Sequence, residues 1–231
     1  MAGMANVEPP ERPTIDRLDL ADWRRRVSDL YARVRTEAAT DPERAWRTWR
    51  ETREWLFQEH SQSPVPVADR AAFKARHWPY DPRYRLEAAV QPPANETVTL
   101  RQAEPLFGGL TLALPVSTGG QEEFTRIGSV EVALSGGIRS LGVYWMAGYA
   151  GGLFLPFRDA TNGIETYGAG RYLLDAAKSA DLGPGAAPQT LVLDFNFAFQ
   201  PSCAFDPQFA CPLAPQENRL DISVEAGERL V

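Results

Sequence analysis

The sequence predicts a mainly β protein with α-helices at its N-terminus, an α+β arrangement in which the strands form an antiparallel β-barrel or, alternatively, a β-sandwich. Three observations lead to this fold class. After about residue 84, apolar and polar residues alternate in several short segments. Glycine pairs and one Asn-Gly pair separate those segments, and residues 16–60 carry apolar side chains at steps of three or four. Period-two segments divided by turn residues are typical of antiparallel sheets.

Two amphipathic helices are expected before residue 60. The first has Asp19 as its predicted N-cap, and the second begins at Asp41-Pro42, where Asp caps the helix and Pro occupies its first position. A short third helix is expected over about residues 69–76. The apolar stripe of the first helix contains Leu20, Trp23, Val27, Leu30 and Val34, and that of the second contains Trp46, Trp49, Leu56 and Phe57. The two tryptophans of the second stripe could form an aromatic ligand platform, but their spacing favours a stripe that faces the core.

The chain is expected to divide into three parts. Residues 1–15 form a disordered tail, residues 16–60 form helices packed on the domain, and residues 61–231 form the β-rich domain. About nine strands are expected in that domain. The clearest alternations contain Leu110, Leu112 and Leu114, then Val130, Val132 and Leu134, then Leu220, Ile222 and Val224.

A β-hairpin is predicted over residues 153–174, with its two-residue turn at Asn162-Gly163. Asn-Gly tolerates the two successive positive φ values that such a turn requires. The returning strand would carry Tyr167 and Arg171 on either side of Gly168-Ala169-Gly170, where glycine permits a bulge or a close approach by another group.

Charge and hydropathy exclude two classes of partner. The net charge is −6, so the chain lacks the basic excess of a nucleic-acid-binding protein. The longest uncharged stretch, residues 142–157, is interrupted by glycines and is shorter than the roughly 20 apolar residues of a membrane span. Residues 1–17 are polar and contain no apolar signal-peptide core. We therefore expect a cytoplasmic protein that binds neither nucleic acid nor membrane.

The segment 191–199 is predicted to be a strand with chemistry on one face. Its odd positions are all apolar, whereas Asp194 and Asn196 share the opposite face. If that face lines a barrel interior or a pocket, Asp194 is a buried carboxylate with a raised pKa and Asn196 is its partner or a substrate donor. The alternative is that the same face is solvated.

Four further residues complete the candidate site. Arg171 with Tyr167 could bind a carboxylate or phosphate, or Arg171 could pair internally with Asp159 or Asp194. Glu217 could stabilise its loop by hydrogen bonds to the backbone. Alternatively, it could join Asp159 and Asp194 as a set of carboxylates for acid/base catalysis. The predicted catalytic residues are therefore Asp194, Asp159 and Glu217, and the predicted ligand-binding residues are Tyr167, Arg171 and Asn196.

The chain has two cysteines, Cys203 and Cys211, in a Pro-containing segment. Reduced structural thiols, a disulfide and a metal or redox function are all compatible with their spacing. The spacing is not that of a zinc ribbon, and both histidines are distant in sequence, so no metal site is predicted. The sequence leaves the identity of any cofactor open.

Several long motifs of the C-terminal half resemble a bacterial family, domain-of-unknown-function family 1684. The likeness extends upstream to about residue 45 and leaves the first helix outside it. The family has no assigned activity, so the resemblance implies a domain and no reaction. The motifs are Asp159–Gly163, Thr166–Leu173, Leu193–Phe205, Cys211–Asn218 and Ala226–Glu228.

These observations favour a small-molecule-binding β-barrel, or an enzyme that uses carboxylate acid/base chemistry. The alternative is a non-catalytic interaction or scaffold protein that meets its partner through the N-terminal helices. The sequence leaves the ligand and the oligomeric state open.

Overall fold

The structure is a computed structural model that describes residues 14–93, 110–147 and 151–231. Its first helix, α1, spans Thr14–Ala38. Residues 14 and 15 are therefore helical, which corrects the predicted boundary of the tail; the rest of that tail lies outside the described residues. Asp19 lies inside α1 and does not cap it. The carboxylate of Asp19 instead accepts a hydrogen bond of 2.7 Å from Ser61 Oγ.

The second helix, α2, spans Pro42–Glu59 and begins where the sequence predicts. The Asp41 carboxylate accepts the Arg44 N–H at 2.9 Å, so it satisfies one of the donors that a helix leaves free at its first turn. The third helix, α3, spans Val67–Arg70 and is shorter and earlier than predicted. Its predicted end is instead strand β1, Arg76–His77.

Helix α2 buries its predicted apolar stripe, whereas α1 buries Leu30 and Val34 of its own stripe and leaves the rest half-buried. Trp46 and Trp49 are buried, and the Trp46 indole donates to the carbonyl of Asn196 at 3.0 Å. The Trp49 indole donates to the Tyr31 hydroxyl at 3.1 Å, which joins α2 to α1. The stripe of α2 therefore faces the core, as its spacing predicts.

An antiparallel sheet of five strands lies beneath the helices, in the order β3-β4-β5-β6-β7. Its two faces pack in different cores: Phe154 faces the helices, whereas Leu155 faces the opposite core. Strand β4 is long and bulges between Arg126 and Gly128. An inserted residue shifts every later side chain to the other face. The strands are β3 (Leu110–Pro115), β4 (Gln121–Leu134), β5 (Gly137–Met146), β6 (Gly152–Phe157) and β7 (Arg171–Asp175).

Two smaller antiparallel ladders cover the remaining core. Strand β2 (Arg85–Ala89) pairs with β8 (Thr190–Asp194), and β1 pairs with β9 (Glu228–Arg229). Gly128 lets Gln91 approach β4, because a Cβ at position 128 would lie 2.4 Å from the Gln91 carbonyl oxygen. A mainly β fold with N-terminal helices and antiparallel sheets is confirmed. Among the described residues, the ladders do not close into a barrel.

The predicted two-residue hairpin turn at Asn162-Gly163 is wrong. Strands β6 and β7 do pair antiparallel, but residues 158–170 connect them. Gly163 has a φ of +81°, whereas Asn162 does not adopt positive φ. The Asn162 side chain instead spans the loop: Oδ1 accepts the Asp159 N–H at 2.5 Å, and Nδ2 donates to the Tyr167 carbonyl at 2.8 Å.

Two predicted strands are also corrected. Strand β8 ends at Asp194 because its carboxylate accepts the Asn196 N–H at 3.0 Å and starts a 3-10 turn over Phe195–Phe197. The expected alternation therefore fails, and every residue from 192 to 200 is buried. Residues 220–224 keep alternating burial but form no ladder, since they bond only intermittently to the 158–160 segment.

Candidate functional site

The structure places the six predicted site residues at several separate positions. Asp159 and Arg171 form one of them, with both side chains fully buried and Arg171 Nη2 3.1 Å from Asp159 Oδ2. The same carboxylate oxygen accepts the Val224 N–H at 2.7 Å, and Arg171 donates to the Val224 carbonyl at 2.9 Å. Burial lowers the pKa of Arg171, and Asp159 opposes that change. The pair joins the start of β7 to the chain near residue 224.

Asp194 and Asn196 form a second, separate group. Asp194 is fully buried; it accepts Asn196 Nδ2 at 2.7 Å and lies 3.3 Å from Arg85 Nη1. Burial raises the pKa of Asp194, while its bonds with Asn196 and Arg85 act in the opposite direction. Asn196 also bonds to the backbone of Asp81 through both amide atoms, at 2.9 and 3.0 Å. This group ties the 3-10 turn after β8 to the corner before β2.

Glu217 lies at the sheet surface, with its side chain 40% exposed. It accepts hydrogen bonds from the Tyr144 hydroxyl and from Arg126 Nε, the latter at 3.0 Å. Burial together with Glu217 raises the pKa of Tyr144. The fully buried neighbour, Asn218, bonds to Gly142 through both amide atoms, at 2.6 and 2.9 Å.

Two connected cavities lie between α1 and the loops that follow β7 and β8. The larger has a volume of about 550 Å³ and the smaller about 70 Å³. They share Trp23, Val27, Lys178 and Ser202, so we treat them as one cleft. Its walls are residues 20–28 of α1, residues 177–179, and the loop containing Ser202, Phe209 and Cys211. None of the six predicted residues lines this cleft.

Lys178 lines the cleft with its side chain 57% exposed, and its position follows from the reversal of the chain immediately after β7. Residues Ala176–Lys178 form a 3-10 turn, and Ser179 then adopts a φ of +64°. Gly152 permits this packing, since a Cβ there would lie 2.7 Å from the Ala177 nitrogen. Lys178 Nζ lies 2.9 Å from the buried Asp175 carboxylate. Burial alone would lower the pKa of Lys178, but Asp175 raises it above its ordinary value, so the ammonium stays charged.

The cleft carries positive charge on apolar walls. Arg24, Arg25 and Lys178 line the larger cavity, and Arg53 joins Lys178 in the smaller one. Within the described part of the chain, no Asp or Glu side chain lines either cavity. The lining of the cleft is therefore positively charged, although the whole chain has a net charge of −6.

Cys211 lines the cleft, and Cys203 lies next to it. Both are buried, without a disulfide, and the Cys203 N–H lies 3.4 Å from Cys211 Sγ. The Cys211 thiol and the Tyr167 hydroxyl form hydrogen bonds to the sulfur of Cys203, which helps to lower its pKa to about 6. Burial and the bond to Cys203 raise the pKa of Cys211. Tyr167 is thus the predicted residue that the structure brings closest to this region.

A buried ion pair and His77 lie on the other side of the small cavity. Arg53 Nε lies 2.6 Å from Glu228 Oε1, and His77 Nε2 lies 3.9 Å from the same oxygen. Burial alone would raise the pKa of Glu228, but Arg53 and the Gln200 N–H hold it below its ordinary value. Burial lowers the pKa of His77 to about 4, against the opposing effect of Glu228. The imidazole is therefore neutral at pH 7.

A separate cavity of about 650 Å³ lies at the far end of the β4–β5 hairpin. It is lined by Arg83, Tyr84 and Glu225 together with residues 133–135 and 222–223. Arg83 is already bound to Asp81, with Nη2 2.6 Å from Oδ2. Among the residues that the structure describes, the lining of this cavity contains no cysteine and no lysine, so the cleft is the stronger candidate.

The cleft residues gave little signal in the sequence. Trp23 belongs to the apolar stripe of α1, but it is only half-buried, and three arginines follow it directly. A tryptophan at the edge of a stripe beside three cations is the pattern that could have indicated a ligand surface. Among the described residues, no group of three or more His, Cys, Asp or Glu side chains is placed to hold a metal ion. No described helix has both the length and the apolar character needed to cross a membrane.

The architecture defines a mainly β protein in which antiparallel sheets carry N-terminal helices on one face. The chain belongs to the family described as "Protein of unknown function (DUF1684)", which it matches over residues 71–229. The resemblance seen in the sequence motifs is therefore confirmed, and α1 and α2 lie outside the matched residues.

A solved structure and the curated proteins were compared with the chain as well. An uncharacterised protein of Haloarcula marismortui, solved by solution NMR, is similar at 30% identity with a TM-score of 0.56. The similarity covers 84% of this chain and 96% of that one. No curated protein matches the chain.

Proposed function

We propose that the protein binds a small amphipathic anion, with an apolar body and a carboxylate-like or phosphate-like head, in the cleft between α1 and the sheet. The observation that carries this proposal is the coincidence of apolar walls with three cations and no lining carboxylate. A volume of about 550 Å³ lies within the range of ligand pockets, roughly 300–1,000 Å³.

The two ends of the cleft suit the two ends of such a ligand. Trp23, Val27 and Phe209 offer apolar surface, while Lys178 presents an ammonium held in place by Asp175. A cation at a partly desolvated site attracts an anionic head more strongly than one in bulk water. Arg24 and Arg25 are exposed at the rim, where they would favour approach of an anion.

The proposal keeps small-molecule binding as its function class and moves the binding surface away from the six residues that the sequence motifs indicate. Catalysis by a carboxylate stays a proposal centred on Asp194, whose pKa is raised by burial. The scaffold alternative has the exposed Trp55 in its favour. Against it, α1 and α2 use their apolar stripes within the chain itself.

The test uses 8-anilinonaphthalene-1-sulfonate as the anionic apolar probe, with dodecanoate and dodecan-1-ol as competitors. We expect dodecanoate to displace the probe at a lower concentration than the uncharged alcohol. Ser28→Trp fills the cleft and should abolish probe binding. Asp29→Trp, one residue further along α1 and outside the cleft lining, should leave binding unchanged.

Charge is tested separately. Lys178→Gln should weaken probe binding about tenfold, equivalent to about 1.4 kcal/mol. Arg25→Gln should weaken it about threefold, and Arg17→Gln, which makes the same change on the same helix away from the cleft, should have no effect. Because this probe also binds partly unfolded chains, each variant's melting temperature is measured too. Unchanged binding by folded Ser28→Trp, or equal competition by acid and alcohol, would refute the proposal.

A further inference from the structure

Cys203 and Cys211 are the only cysteines of the chain, and the fold brings them together from opposite ends of a loop. The loop is fixed on both sides. The Cys211 N–H donates to Ser117 Oγ at 3.0 Å, and the Ser117 N–H donates to the Cys211 carbonyl at 3.0 Å, which holds the loop on the end of β3. The two thiols are therefore held as a pair by the surrounding structure.

The geometry allows a bond between the two sulfurs. Cys211 Sγ lies 3.4 Å from the Cys203 nitrogen. An N–Cα bond of about 1.5 Å then places that sulfur within about 5 Å of the Cys203 Cα. The two cysteine side chains are therefore adjacent in the fold, as a disulfide between them requires.

The surroundings distinguish the two sulfurs. The neighbouring Cys211 thiol and Tyr167 hydroxyl favour the thiolate of Cys203 and help to lower its pKa to about 6. Cys211 lines the cleft and lies within electrostatic range of the Lys178 ammonium. The lowered pKa favours Cys203 as the nucleophile, and the proximity of Cys211 suits it to resolve the product.

We propose that Cys203 and Cys211 form an oxidisable dithiol site whose substrate is a small hydroperoxide that approaches from the side of the cleft lined by Cys211. The Cys203 thiolate attacks the outer peroxide oxygen, the O–O bond breaks, and the departing hydroxide or alkoxide takes up a proton. Cys203 is thereby oxidised by two electrons to a sulfenic acid. The Cys211 sulfur then attacks the Cys203 sulfur, the S–O bond breaks, and the oxygen leaves as water.

The net reaction converts two thiols and one hydroperoxide into one disulfide, one water and one further water or alcohol. A thiol reductant returns the pair to its starting state. This site is independent of the proposed anion binding, because its chemistry needs the sulfur pair and Tyr167 rather than the charges of the cleft. Failure of either proposal leaves the other standing.

The test treats the reduced, full-length chain with hydrogen peroxide, followed by N-ethylmaleimide and intact-mass measurement. We expect the loss of both maleimide adducts with a mass about 2 Da below that of the reduced chain, and full recovery with dithiothreitol. At pH 6.5 the folded chain should react at least tenfold faster than the chain in urea, since free cysteine is almost fully protonated there.

Two variants assign the roles of the sulfurs. Cys211→Ser should stop at the sulfenic acid, which dimedone traps at Cys203, whereas Cys203→Ser should react at least tenfold more slowly than the parent. Tyr167→Phe, which removes one hydroxyl, should slow the reaction severalfold with an unchanged melting temperature. The proposal is overturned if unfolding accelerates the reaction, if Cys203→Ser reacts at the parent rate, or if the product is an over-oxidised thiol without a disulfide.

Discussion

The neutral, buried His77 should make folding stability depend on pH between about 6.5 and 4. Its side chain is 1% exposed, and burial lowers its pKa from 6.5 to about 4 in the folded chain. The unfolded chain therefore binds the His77 proton more tightly, and stability falls as the pH drops through this window. A pKa shift of this size lowers the free energy of unfolding by about 2 kcal/mol between pH 7.5 and pH 5.

His77→Leu removes the titrating group. Between pH 7.5 and pH 5, its free energy of unfolding should therefore fall by about 2 kcal/mol less than that of the parent. Urea unfolding followed by tryptophan fluorescence measures both chains at the two pH values. His60→Gln is the matched control, because the chain has two histidines and this variant keeps the His77 contribution. Equal pH dependence in the parent and in His77→Leu would refute the argument, as would an NMR titration of His77 with a midpoint near 6.5.

Two further substitutions test the buried polar groups. Arg171→Leu leaves the Asp159 carboxylate buried without its cation, so it should lower the free energy of unfolding in urea by about 3–5 kcal/mol. The double variant with Asp159→Leu should recover part of that loss, whereas additive losses would contradict the pairing. Asp194→Asn keeps an oxygen acceptor for the Asn196 N–H, so we expect a melting temperature within a few degrees of the parent and unchanged binding of the sulfonate probe. Loss of binding in that folded variant would instead place the function at Asp194.

Local sequence signals predicted the elements that local chemistry determines. The Asp41-Pro42 start of α2 is correct because a cap and a proline act on the next few residues alone. The alternation at Val130 and Val132 is correct because both residues face one core within a continuous ladder. In each case, the residues that set the structure are adjacent in the chain.

The errors arise where a side chain competes with the regular backbone pattern. The apolar alternation continues through Phe195 and Phe197, but the Asp194 carboxylate captures a backbone N–H and ends the strand. Asn162 has the sequence of a tight turn, yet its amide bonds across a wider loop. The composition of a segment and the period of its apolar residues do not predict this competition between side chain and backbone.

The candidate site was harder to predict because the cleft is assembled from three distant segments. Trp23, Lys178 and Cys211 belong to a helix, a turn and a loop that approach each other only in the folded chain. The polar motif residues, by contrast, are conspicuous in the sequence because turns need them: Asp159 and Asn196 satisfy backbone groups within and between loops. The polar side chains of these motifs therefore indicated how the loops are held in place more directly than they indicated where a ligand binds.

Helix α1 forms one wall of the cleft while lying outside the residues that define the family. The shared part of the chain supplies Lys178, Phe209 and Cys211, whereas the helix supplies Trp23 and the rim arginines. Under the proposed function, substitutions on the cleft side of this one helix would therefore alter the size and charge of the ligand that binds. Proteins with the same domain but a different N-terminal helix would then be expected to bind different ligands against the same loops.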